Sequence, residues 1–348
     1  MSNLQSFGDS FTVGFNASPQ TLGYAKLLAN LIGGTFNNYG VGSSMSTTSA
    51  KLGHQNIAVN RTKTVTWMAG LNDIRQAGLA AIPKLEGNLR AFLAGCFLTS
   101  ICPASLMTRN GAWTALSNTY GGKSFYNGGT PLYCNSNMNA YLEWNFTGDN
   151  VVVGAYRTNG TTGYYRDLSI TIDGGAPVIF ALFGNTNEIV TFDAKVIKGL
   201  GSGAHTIRIK PTTTAAHTVV DFVGTLANND NPVLVSEIPY LLNWAQYSSV
   251  ATQAICDQAN QSITNVLAEF SEFNIAKVLA NTFYNPQTMC SSDGIHPTNA
   301  GHEALLNAFL NKINLTQKLD VPSWATKIVI NDGTEHIYNL PLTIIAKN

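Results

Sequence analysis

Lys63-Thr64-Val65-Thr66-Trp67-Met68-Ala69-Gly70-Leu71-Asn72-Asp73 is the stretch on which the fold turns. Lys63–Met68 runs through three β-branched residues and a tryptophan without glycine or proline, which is strand composition. Gly70 breaks the run, and an amide and a carboxylate follow directly at the strand's carboxyl end. Upstream, residues 35–39 and the short, polar Asn3-Leu4-Gln5-Ser6-Phe7 also read as extended. Between them Leu22, Ala25, Leu28, Leu31 and Ile32 form a helical stripe, which Gly33-Gly34 ends. Ser18-Pro19 reads as its N-cap and first-turn proline. Residues 44–59 predict a helix weakened by serine and threonine, and residues 77–101 a mostly helical segment with Pro83 as a break or fresh start. Strands alternating with helices imply βαβ units and a parallel sheet.

The texture changes near residue 106. From there to about 230 the helical period gives way to short alternating runs at 151–156, Leu168–Ile172, 178–182, 188–192, 205–209 and 218–223. Asp173-Gly174-Gly175 and the glycine-rich 199–203 punctuate them, the spacing of an antiparallel sandwich. Residues 232–239 read as a core strand, 247–270 as a helix, 274–279 as a strand and 298–313 as a last helix. The expectation is an α/β domain over 1–105 and 232–318, interrupted by a β-sandwich over 106–231. Residues 319–348 add a β-hairpin around Asp332-Gly333.

The 348 residues carry 20 Lys+Arg against 20 Asp+Glu, net zero. Without a basic run there is no electrostatic footprint for nucleic acid or an acidic membrane surface. No apolar stretch approaches the roughly 20 residues of a membrane-spanning helix. Met1-Ser2-Asn3-Leu4 lacks the basic and apolar regions of a signal peptide. The five cysteines (Cys96, Cys102, Cys134, Cys256, Cys290) make no C-x-x-C pair and read as buried small hydrophobes, with room for one bridge. There is no G-x-S-x-G, H-E-x-x-H, Walker A loop or intact G-x-G-x-x-G, so metal and nucleotide chemistries have no support and no cofactor is expected.

Three stretches carry chemistry: Gly8-Asp9-Ser10, Gly70-Leu71-Asn72-Asp73 and Asp293-Gly294-Ile295-His296-Pro297. Each follows an expected parallel strand, and ligand sites of open α/β sheets lie beyond the carboxyl ends of strands. A serine hydroxyl needs a base and the base an orienting acid; Ser10, His296 and Asp293 supply the set. The oxyanion needs preorganised donors, for which the Asn72 amide and the Ser10 N–H are candidates. The alternative roles are turn or cap duty: Ser10 and Asn72 in turns, Asp293 and His296 ahead of the 298–313 helix. Asp73 reads as structural. Arg75, Tyr240 and Trp244 follow sheet strands and are candidate pocket residues with equal claim to surface or core roles. His54, His205, His217, His302 and His336 have no motif around them and default to structural histidines. Tyr120, Phe125, Tyr126, Tyr133, Tyr141, Trp144, Tyr164 and Tyr165 are candidate sugar-stacking residues, with core packing the stronger claim.

In these blocks the chain resembles the SGNH (GDSL-like) hydrolases, over roughly 1–105 and 232–315. The resemblance implies a flavodoxin-like three-layer fold and metal-free ester hydrolysis through Ser10, Asp293 and His296. It departs from the family at the glycine block: Asn38-Tyr39-Gly40-Val41-Gly42-Ser43 puts Ser43 where the family has glycine, with Gly42 one residue early. Either N–H can serve the oxyanion. The expected activity is O-deacetylation of a polysaccharide such as a capsule or O-antigen. The architecture is also similar to deacetylase modules of bacteriophage tail spikes, which implies an extracellular or virion location and a homo-oligomer, a trimer if a spike. The alternatives are a lipase or thioesterase for longer acyl chains, and a carbohydrate- or receptor-binding protein with a vestigial site.

Overall fold

The computed structural model describes residues 3–116, 130–135, 137–158, 167–182, 190–212, 217–313, 327–331 and 335–339. Five strands form a parallel sheet in the spatial order Ile275–Val278, Val233–Ser236, Lys63–Met68, Asn3–Gly8, Phe36–Gly40. Counted along the chain from the Phe36–Gly40 edge this is 2-1-3-4-5, the flavodoxin-like doubly wound order. Burial follows position. The three inner strands are almost wholly buried, while both edge strands are half-exposed. The polar first strand therefore lies deep in the sheet, with the Gln5 side chain donating to the Asn56 carbonyl at 3.0 Å.

Helices cover both faces. Trp67 packs on Phe92 of the helix Ile82–Phe97, ring centroids 4.4 Å apart. Thr66, pointing to the opposite face, neighbours the Tyr24 hydroxyl from the helix Tyr24–Ile32. Tyr24 in turn stacks on Phe309 of Asn299–Leu310 at 5.0 Å. Ser46–Asn56 and Gln253–Glu269 share the Phe92 face with Ile82–Phe97. A buried ring at such a junction is worth about 3–5 kcal/mol against truncation to alanine.

Two expectations are corrected. Ser18 caps no helix: the helix begins at Tyr24 behind Gly23. The Ser18 N–H and carbonyl instead bond the Asn299 side chain at 2.9 and 3.0 Å. A tertiary partner has taken the groups a local cap would use. The helix expected over 77–101 ends at Phe97, and Leu98–Pro103 is a strand antiparallel to His217–Leu226. Its partner lies more than a hundred residues away, where local periodicity cannot see it.

Between Leu98 and Leu226 the described strands form two antiparallel sheets. One orders Val178–Phe180, Leu168–Ile172, Ala204–Pro211, Tyr141–Thr147 and Thr108–Asn110. The other orders Val190–Lys198, Asn150–Thr158, His217–Leu226, Leu132–Asn135 and Trp113–Ala115, with Leu98–Pro103 also on His217–Leu226. Leu142, Ile170 and Ile209 from the first sheet meet Val151, Val153 and Val223 from the second in one apolar core. The second sheet turns Val152, Tyr156, Phe192 and Phe222 into the core of the parallel sheet instead. The two halves of the chain thus share buried surface.

Lys327–Asn331 pairs antiparallel with Glu335–Asn339; the Asp332-Gly333 turn lies outside the described residues. So do Tyr120, Phe125, Tyr126, Tyr164 and Tyr165. All five cysteines are free, so the bridge that the sequence left room for is not formed. Among the described residues no helix is long and apolar enough to cross a membrane.

Candidate active site

Gly8 and Met68 end adjacent strands in register, at the point where the strand order reverses. A β-carbon at Gly8 would sit 2.1 Å from Thr12 Oγ1 and 2.2 Å from the Met68 carbonyl, so only glycine fits the sharp exit. Asp9 follows and caps the short helix Ser10–Val13 by accepting the Phe11 N–H at 3.1 Å. Burial pushes the Asp9 carboxyl up to about 7; the Phe11 N–H opposes this and the nearby Asp73 charge adds to it. Ser10 stands at the first helical position, 8% exposed.

The structure brings Ser10, His296 and Asp293 together across 286 residues of sequence separation. Ser10 Oγ lies 2.9 Å from His296 Nε2, and His296 Nδ1 lies 2.7 Å from Asp293 Oδ2. Asp293 is held by more than the histidine. Its Oδ1 accepts the backbone N–H groups of Ile295 and His296, both at 2.9 Å, and the Ser291 hydroxyl at 2.7 Å. Its Oδ2 also accepts the Asn16 amide at 2.8 Å, and that amide reaches Ser291 Oγ at the same distance. Partial burial alone would raise the Asp293 carboxyl, but the bonds from His296, Ile295 and Ser291 outweigh it and hold it well below the usual carboxylate range. An ionised Asp293 accepts but cannot donate, so His296 carries its proton on Nδ1 and Nε2 accepts from Ser10. Gly294, at φ +70°, gives the loop its turn.

The candidate oxyanion donors lie around the turn after Phe36–Gly40. Val41 N–H donates to the Gly8 carbonyl at 3.0 Å, and Ser44 N–H closes a turn on Val41 at 3.1 Å. Gly42 and Ser43 occupy the turn's two central places, both exposed, with Ser43 at φ +59°. Among the described residues the N–H groups of Ser10, Gly42 and Ser43 make no bond to protein. Asn72, buried in the helix Leu71–Ala77, donates one amide hydrogen to the Ser44 carbonyl at 2.9 Å and has a second to offer.

Beneath this turn lies a buried polar cluster. Asp73 accepts Ser46 N–H at 2.8 Å and Ser46 Oγ–H at 2.7 Å, capping the helix Ser46–Asn56 from outside. Lys84 Nζ pairs with Asp73 at 3.0 Å, both side chains fully buried. Asn88 joins Ser46 and Thr47 at 2.9 and 3.0 Å and accepts the Phe192 N–H from the antiparallel sheet at 3.3 Å. The structural reading of Asp73 is thus given its partners.

The other candidates have structural partners. Tyr240 donates to Asp257 at 2.6 Å, and Trp244 packs on the core. The Arg75 carbonyl accepts the Ser248 hydroxyl at 2.8 Å. His54 is buried against the Ala91 carbonyl and pushed down to about 3 by burial. His302 accepts the Tyr24 N–H and donates to the Phe15 carbonyl, and burial pushes it down to about 4. Tyr141 lies under the Arg208 guanidinium at 4.2 Å, Trp144 stacks on Phe146 at 5.5 Å, and Tyr133 packs on the core. The His217 and His336 side chains lie outside the described residues.

Sequence reading missed Asn16, Ser291 and Phe15; His302 has the structural role expected of it. Phe15 is 50% exposed with its ring 4.5 Å from that of His296. Ser291, two residues before Asp293, sits where a hydroxyl can reach that carboxylate locally; Asn16 and Phe15 carry no such signal.

No protein-family model matches the chain, and no curated protein matches it. Solved structures resemble it weakly. A protein of the lipolytic G-D-S-L family from Veillonella parvula is 11% identical at a TM-score of 0.42, over 89% of this chain and 97% of that one. A two-domain esterase active on acetylated mannans is 12% identical at a TM-score of 0.36, over 66% of this chain and 91% of that one. An exo-β-1,3-galactanase from Phanerochaete chrysosporium is 19% identical at a TM-score of 0.27, and this chain spans 28% of its length. At these scores the fold rests on the chain's own strand order.

Proposed function

We propose that this protein is a serine esterase of the SGNH type that removes O-acetyl groups from a polysaccharide. The observation that carries the reading is the continuous chain of bonds from Ser10 Oγ to His296 Nε2 and from His296 Nδ1 to an ionised Asp293. Ser10 Oγ attacks the ester carbonyl carbon as its proton passes to His296 Nε2, and Asp293 stabilises the imidazolium. The oxyanion is met by the Ser10 N–H, the Gly42 or Ser43 N–H and the second Asn72 amide hydrogen. Collapse breaks the bond to the alcohol oxygen, which takes the proton from His296. Water then attacks the acyl-serine with His296 as base, releasing acetate and restoring Ser10.

The polysaccharide part rests on the neutral chain and its long antiparallel portion, residues 106–231, which we read as a carbohydrate-facing sandwich inserted in the hydrolase domain. The same character supports an extracellular or virion setting such as a tail spike, with three copies assembled; sedimentation velocity reads the assembly. The test of function is acetate release from O-acetylated polysaccharides by wild type and Ser10→Ala. Release that vanishes in a folded Ser10→Ala protein supports the reading; polysaccharide binding without release by either protein replaces it with a binding role.

A further inference from the structure

In acyl transfer the leaving oxygen takes its proton from His296 Nε2, so the alcohol group bonded to that oxygen must lie beside the imidazole. Phe15 occupies that place: its ring is half exposed and 4.5 Å from the His296 ring, tilted by 45°. It is anchored by its backbone. Phe15 N–H donates to the Ser10 carbonyl at 3.0 Å, and His302 Nε2–H donates to the Phe15 carbonyl at 3.0 Å. An aromatic ring exposed yet fixed at a reactive centre offers an apolar face to a ligand.

Around it the polar groups are neutral. Of the loops at this sheet edge, residues 11–25, 38–50, 240–256 and 285–302 hold Asp293 as their one Asp, Glu, Lys or Arg; the Asn72 loop adds Asp73, paired with Lys84, and Arg75, whose charge acts on Asp9. Asn16 follows Phe15 in sequence, Gln20 donates to the Val13 carbonyl, Asn299 ties to Ser18, and Gln246 and Tyr247 lie against Gly294. A phosphorylated or carboxylated leaving group would meet no counter-charge from the two loops that carry Phe15 and His296; Arg75 belongs to the Asn72 loop. Hydroxyls would meet amides, and the C–H face of a pyranose would meet the ring.

We propose that Phe15 is the platform of a leaving-group subsite that takes the apolar face of an uncharged sugar ring, the ring whose O-acetyl group is cleaved. The subsite rests on the serine-esterase reading and adds where the sugar sits and that it is neutral. The test compares two acetates with the same acyl group: an acetylated neutral methyl pyranoside, and methyl acetate, whose leaving group is too small to reach Phe15. Phe15→Ala should lose roughly ten-fold in kcat/KM on the sugar ester, mostly through KM, and stay within about two-fold on methyl acetate. Phe15→Tyr should restore the sugar ester, and rates on it should be flat from low to high salt. Equal losses on both esters, or none on the sugar ester, overturn the subsite while leaving the esterase standing. A wild type inert on both overturns the esterase reading, and the subsite with it.

Discussion

Among the described residues two histidine–aspartate pairs have identical length, one at each of the two kinds of sheet. His296 Nδ1 to Asp293 Oδ2 and His205 Nδ1 to Asp173 Oδ2 are both 2.7 Å. They differ at the far nitrogen. His296 Nε2 faces the Ser10 hydroxyl at 2.9 Å, whereas His205 Nε2 donates to the Gly201 carbonyl at 3.1 Å. A carbonyl only accepts, so His205 is asked to donate from both nitrogens and its pKa rises, first through the Asp173 bond and then through Gly201. A hydroxyl can donate, so His296 Nε2 can accept from Ser10. The histidine–carboxylate pair alone does not make a site; what the second nitrogen meets does.

The largest effects should fall on the His296 side. Ser10→Ala should lower kcat for ester hydrolysis by roughly 10⁴–10⁶-fold with the fold intact. Asp293→Asn should lower it by about 10⁴-fold, because an amide can donate to Nδ1 and so favour the wrong tautomer; single-turnover rates on a chromogenic acetate read both. Near wild-type turnover in Asp293→Asn would make the pair at His296 as incidental as that at His205. Asn72→Ala should cost about 10²–10³-fold in kcat, and a change confined to KM would remove Asn72 from the oxyanion site.

A third charged pair sharpens the contrast through stability. Lys84 and Asp73 are wholly buried, and Lys84→Met should destabilise by about 3–5 kcal/mol by stranding the Asp73 charge; urea unfolding measures it. The buried histidines give a pH signature. His54 and His302 titrate at about 3 and 4 in the folded chain, below the ordinary 6.5. The unfolded chain therefore takes protons that the folded one refuses. Their effect on stability is absent above pH 6.5 and destabilising as pH falls from 6.5 towards 4. Asp9, raised to about 7, works in the opposite sense: its relative stabilisation is present below the unfolded value of 3.8 and lost as pH rises through 7. Replacing both histidines with glutamine should flatten the acid limb of a melting-temperature profile. The smallest effect belongs to His205→Ala, which should leave turnover unchanged and remove a stabilisation lost as pH rises past the raised His205 value. Impaired ester hydrolysis in that variant would break the comparison.

Of the parallel strands, Lys63–Met68, Val233–Ser236 and Ile275–Val278 were legible as short apolar or β-branched runs, and the two polar ones from the turns and helices around them. Ser10, Asn72, Asp293 and His296 were legible because they stand in three short motifs, Gly8-Asp9-Ser10, Gly70-Leu71-Asn72-Asp73 and Asp293-Gly294-Ile295-His296-Pro297. Thr108–Asn110, Trp113–Ala115 and Tyr141–Thr147 were not read, since edge and half-exposed strands take their order from partners rather than from their own pattern. Asn16 was invisible for the same kind of reason: its partner, Asp293, lies 277 residues away.

The chain by itself determined which chemical groups exist and which elements they terminate, because turn chemistry and strand periodicity are local. Tertiary structure alone decided that Asn16 would hold Asp293, that Phe15 would stand exposed beside His296, and that the antiparallel sheet would reach Asn88 beneath the Val41–Ser44 turn. Those outcomes depend on distances between residues far apart in sequence, and such distances are set by packing.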